Sequence, residues 1–236
     1  MSKQHIMLVG AHCGDMELAA GAIAHKYAKA GHKVTFLHLT AGEKGNPPHL
    51  SVEEYRKQKI KESEEAAKII GAETITLDYK DAELKINDET IATVAKLIRQ
   101  LKPNLVITHW TDSIHPDHAA CPKIIEAAWL KSALPGFEMD GLEPHGMRAF
   151  LHSENWEDPN YDPDIYIDVT EEFDTYLEAI SKYWFVMNSK SFRYYDYYQA
   201  LGITRGCLNR TTYAQTLKYP EGFNIRRGKE IPGFPV

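Results

Sequence analysis

The chain has 236 residues, 43% hydrophobic and 25% charged, with a formal net charge of −6. That length suffices for one well-buried domain, and an acidic balance without a basic stripe argues against nucleic acid as a partner. Three cysteines, Cys13, Cys121 and Cys207, are too few and too scattered for a disulfide framework. No apolar run approaches the roughly 20 residues that span a bilayer. A cytoplasmic protein with no membrane partner is therefore expected, and the Arg226-Arg227 pair is read as a solvated end.

Ile6-Met7-Leu8-Val9 is a continuous apolar run, the pattern of a parallel strand buried on both faces. An alanine-rich helix is expected over 18–30, stopping at Gly31. A β-branched and aromatic strand follows at 34–39, then a polar loop over 41–49. Ser51 with Glu54 three residues on is a capping-box pattern; it opens a helix that runs to Ile70 and stops at Gly71. Strands at 74–77 and 105–108 flank a helix over 89–101, and another helix is expected over 116–130. Beyond these lie short strands at 148–151 and 165–168, a helix from Thr170 to about Tyr183, and an aromatic-rich helical stretch over 185–208. This βαβα alternation predicts an α/β, Rossmann-like fold, a mostly parallel sheet with helices on both faces. Residues 1–236 read as one domain, in which 145–236 completes the fold and shapes the pocket.

Two stretches carry the chemistry: Ala11-His12-Cys13-Gly14-Asp15-Met16-Glu17 and His115-Pro116-Asp117-His118. Each follows an apolar strand, and in such sheets ligands collect at the carboxyl ends of the strands. His12, Asp15 and His118 would supply two imidazoles and one carboxylate. Three protein ligands with a fourth position open is the arrangement of a catalytic metal site.

With Thr40-Ala41-Gly42-Glu43-Lys44-Gly45 between them, these motifs resemble the LmbE/PIG-L family of zinc-dependent N-deacetylases. That family carries an Ala-His-Pro-Asp-Asp-Glu type motif, a Thr-x-Gly-Glu-x-Gly segment and His-Pro-Asp-His in this order. Arg205-Gly206 and Tyr213-Ala214 are similar to a family Arg-Gly … Tyr-Ala-Glu segment, with Gln215 in place of Glu. The resemblance implies one Zn2+ per chain held by His12, Asp15 and His118. It makes His115 the group that stabilises the oxyanion or protonates the leaving amine, and Asp117 the partner that fixes an imidazole's tautomer. Glu43 would stand at the rim, either touching a substrate hydroxyl or bonding loop amides. The implied reaction is removal of an acetyl group from a small N-acetylated amino sugar or conjugate, and a homo-oligomer stays open.

The chain departs from the family at Gly14, where the resemblance expects an aspartate acting as general base. Glu17, Glu43 and Asp112 are the candidate replacements; a catalytically weak or inactive zinc- or sugar-binding protein is the alternative. Trp156 is the candidate substrate wall. The cluster from Trp184 to Tyr198 reads as core or subunit interface, with sugar stacking as the other reading.

Overall fold

The computed structural model describes residues 3–221. Its strands are β1 (His5–Gly10), β2 (Lys33–Thr40), β3 (Glu73–Tyr79), β4 (Leu105–His109), β5 (Ala149–Ser153), β6 (Ile165–Asp168) and β7 (Ala214–Lys218). They form one sheet in the order β3-β2-β1-β4-β5-β7-β6. The first five are parallel to their neighbours, and β7 runs antiparallel between β5 and β6.

The helices are α1 (Asp15–Lys29), α2 (Val52–Ile70), α3 (Asp88–Leu101), α4 (Pro116–Ala133), α5 (Phe173–Ile180), α6 (Trp184–Asn188) and α7 (Tyr194–Asn209). Alternate strand residues serve opposite faces, as a period of two requires. Ile6, Leu8, Phe36 and Ile107 join the α1 and α5 side chains in one core layer. Met7, Val9, Leu37 and Val106 join α3 and α4 in the other. Helices thus cover both faces of a mostly parallel sheet, as the alternation predicts. No helix among the described residues is long and apolar enough to cross a membrane.

The strand order places the site. From β1 the chain steps outward to β2 and β3, then returns to β4 on the other side of β1. The loops leaving β1 and β4 therefore diverge and open a crevice between them, the switch point where such sheets bind ligands. The two motifs occupy those two loops.

Several boundaries differ from expectation, each for a local reason. Helix α1 begins at Asp15 because Gly14, at φ 106°, turns the chain directly from strand into helix. The capping box at Ser51 forms as expected, with Ser51 Oγ accepting from Glu54 N–H and Glu54 Oε2 accepting from Ser51 N–H. The helix after Thr170 stops at Ile180, and the aromatic stretch is two helices separated around Ser189–Ser191 rather than one. Strand β7 is absent from the expected elements because Ala-Gln-Thr-Leu-Lys is polar and has little β-branched content. Its Gln215 serves α1, which breaks at Ala20 (φ −144°, ψ 21°); Gln215 Oε1 accepts the Ile23 N–H at 3.0 Å. Arg226-Arg227 lies outside the described residues.

Candidate metal centre

His12 and Asp15 leave the end of β1, and His118 sits in the first turn of α4, with Pro116 opening that helix. Their donor atoms converge. His12 Nδ1 lies 3.0 Å from His118 Nε2, and Asp15 Oδ2 lies 3.2 Å from each. Donors held at 2.0–2.1 Å around a tetrahedral zinc are about 3.3 Å apart, so the triangle has the right size for a metal.

The groups behind the triangle fix which way its lone pairs face. His12 Nε2 faces Asp81 Oδ1 at 3.0 Å and Asp117 Oδ2 at 3.3 Å. Those carboxylates are themselves held by backbone amides: Asp81 by Lys44 N–H, Asp117 by Ala82 and Leu84 N–H. His118 Nδ1 pairs with Glu157 Oε1, which also accepts from Ser113 Oγ. Protons on these outward nitrogens leave His12 Nδ1 and His118 Nε2 as bare lone pairs aimed at the Asp15 carboxylate. Two lone pairs and an anionic oxygen about one point repel unless a cation lies between them. The donor set therefore fits a divalent metal such as zinc.

The ionisation pattern has the same origin. Burial opposes charge on His118, yet Asp15 and Glu157 raise its pKa to about 9. Burial likewise opposes ionisation of Asp81, but the His12 ring brings it down to about 2.

His115 caps α4: its Nδ1 accepts the Asp117 N–H at 3.2 Å, so its proton belongs on Nε2. Burial, with His12 and His118 nearby, lowers its pKa and keeps the ring neutral. It lines a cavity of about 400 Å³ beside the three metal-facing residues. Trp156 lines the same cavity, packed on Phe192 with ring centroids 4.5 Å apart. Trp184, Phe185 and Tyr194 line this cavity too, so part of the aromatic cluster faces ligand space rather than only core or interface.

The structure relocates the candidate bases. Glu43 turns away from the rim: Oε1 accepts the Asp81 N–H and Oε2 pairs with Arg56, so it braces the loop instead of meeting substrate. Glu17 is fully buried under His38 and Tyr183. Asp112 is exposed and does not line the cavity. At Gly14 a Cβ would come within 3.0 Å of the Phe185 ring. An aromatic side chain fills the space where the family resemblance puts a carboxylate.

Sequence reasoning missed three residues. His109 ends β4 fully buried, stacked on the His118 ring at 4.1 Å with Nε2 3.2 Å from Asp15 Oδ2. Asp81 follows β3 and Glu157 follows β5. All three sit just at or beyond the carboxyl end of a strand, and that position was the available signal.

The family model described as PIG-L, GlcNAc-PI de-N-acetylase, matches residues 7–129. A probable N-acetyl-alpha-D-glucosaminyl L-malate deacetylase 2 of Bacillus anthracis is 27% identical over 54% of this chain and 60% of its own length. This chain thus spans less than two thirds of that relative. N,N'-diacetylchitobiose deacetylase of Pyrococcus horikoshii has the same fold, with TM-score 0.83 and 20% identity over 96% of this chain and 87% of that one. The 4-carboxy-2-hydroxymuconate hydratase GalB of Pseudomonas putida KT2440 does too, with TM-score 0.83 and 21% identity over 92% and 97%. One fold therefore accompanies two chemistries, and the choice between them rests on the site.

Proposed function

Since this chain belongs to the PIG-L (GlcNAc-PI de-N-acetylase) family, we propose that it is a zinc-dependent N-deacetylase of a small N-acetylated amino sugar or sugar conjugate. The observation that carries the reading is the convergence of His12 Nδ1, Asp15 Oδ2 and His118 Nε2, each within 3.2 Å of the others. The deacetylase name of the Bacillus anthracis relative supports the reaction class.

Zinc held there would act as a Lewis acid toward the amide carbonyl and acidify water in its open position. His115 presents a neutral Nε2–H to the cavity and donates to the carbonyl oxygen as negative charge develops on it. Asp81 and Asp117 hold His12, and Glu157 holds His118. Apart from Asp15, the acids lining the cavity are Asp81 and Glu157. Both oxygens of Asp81 are engaged, whereas Glu157 bonds through Oε1 alone among the described residues. With zinc and substrate bound, Glu157 Oε2 would be the oxygen left to take a proton from the attacking water and return it to the departing amine. Trp156 supplies an apolar wall for the sugar ring.

The test is zinc content together with acetate release from N-acetylglucosaminyl conjugates. Purified protein should carry one zinc per chain, and His118→Ala should lose both metal and acetate release. Retention of both in the variant overturns the ligand assignment. The Phe185 ring at Gly14 favours one second reading, a protein that binds zinc and sugar without turnover. Stoichiometric zinc and saturable sugar binding without acetate release would select it.

A further inference from the structure

The same cavity holds a buried cation that makes no ion pair among the described residues. Tyr55 and Lys59 lie one turn apart on α2, and side chains at i and i+4 share a helix face. Both line the cavity, and they are only 1% and 5% exposed. Among the described residues, neither the Lys59 ammonium nor the Tyr55 hydroxyl has a hydrogen-bond or ion-pair partner. Lys59 Nζ instead sits over the Phe185 ring, 4.1 Å from its centroid, with Tyr183 at 5.7 Å.

Glu62 is the acid next along α2, but its Oε1 accepts from Gln58 and the Trp184 amide approaches the same carboxyl. Burial raises its pKa and the nearby Lys59 charge lowers it, but the two groups form no ion pair. A buried ammonium resting on π faces alone is costly unless a ligand completes its coordination. Of the arginines and lysines among the described residues, Lys59 alone lines this cavity. Ser189 and Ser191 line it as well, their hydroxyls 3.2 Å apart.

We infer that the substrate carries an anionic group, a carboxylate or a phosphate ester, which docks on Lys59 and Tyr55 while the acetamido group faces the metal-binding end. The inference rests on the deacetylase reading only for the sugar; the anion site itself rests on α2. It also gives the Gly14–Phe185 pair a role, because the ring that fills the missing side chain's space supports the lysine.

The experiment compares calorimetric binding of three ligands to zinc-loaded protein: N-acetylglucosamine, N-acetylglucosamine 6-phosphate and N-acetylglucosaminyl L-malate. At least one anionic ligand should bind at least tenfold more tightly than the neutral sugar, and which one identifies the anion. Lys59→Met should bring that ratio to within about twofold, whereas Lys59→Arg should retain most of it. Equal binding of neutral and anionic ligands by the wild-type protein overturns the inference, even if Lys59→Met does not fold. A ratio that survives Lys59→Met overturns it as well. Inorganic phosphate and free L-malate separate this inference from the deacetylase reading. If no acetyl sugar is turned over but either anion binds in a Lys59-dependent way, the anion site stands and the deacetylase reading falls. If the neutral sugar is deacetylated and neither anion depends on Lys59, the reverse holds.

Discussion

At Gly14 the backbone sits at φ 106°, outside the regions L side chains favour, and the Phe185 ring fills the adjacent space. Restoring a carboxylate therefore needs two changes. Gly14→Asp alone should destabilise by about 1–3 kcal/mol through backbone strain and ring overlap, without a gain in acetate release. Gly14→Asp with Phe185→Ala should recover part of that stability in denaturant titration. A stable, more active single variant would show that the ring yields freely. The three residues whose donor atoms converge were legible because His and Asp at strand ends stand out against apolar runs. Glu157 was not, because it is one acid among several near Trp156, and only the approach of the loop after β5 to His118 selects it. For Glu43 the sequence left two readings open, and its oxygens, taken by the Asp81 amide and Arg56, favour the loop-bonding one.

Among the elements, α1 and β7 depend on each other across almost the whole chain. The helix breaks at Ala20, and three residues on Gln215 Oε1 accepts the Ile23 N–H in the buried layer between them. Gln215→Leu should cost about 1–3 kcal/mol, the penalty for an unsatisfied buried donor, read as a lower urea midpoint with little change in slope. An unchanged midpoint would mean that water reaches Ile23. The helices up to α4 were readable because caps and apolar periods agree, as at Ser51 and Gly71. The later ones were not, because five of the seven residues from Phe192 to Tyr198 are aromatic and mark no face. Strand β7 escaped because its Gln and Thr are buried for hydrogen bonds to Ile23 and Glu154 rather than exposed as polarity suggests.

Across the whole molecule, the candidate metal site ties together loops that leave β1, β3, β4 and β5. Zinc bound there at a thousand times its Kd would stabilise the folded chain by about 4 kcal/mol. Chelation should therefore lower Tm by roughly 10 °C with far-ultraviolet dichroism intact, and added zinc should restore it. No shift on chelation would place the ion elsewhere or nowhere. The sheet order has a consequence for biosynthesis. Strand β7 inserts between β5 and β6, so β6 reaches the sheet only through a strand made some 45 residues later. A nascent chain that has passed β6 but not β7 carries an open edge on β5 and an unattached β6, both prone to pair with other chains. Emergence of β7 covers the β5 edge and brings β6 into the sheet together.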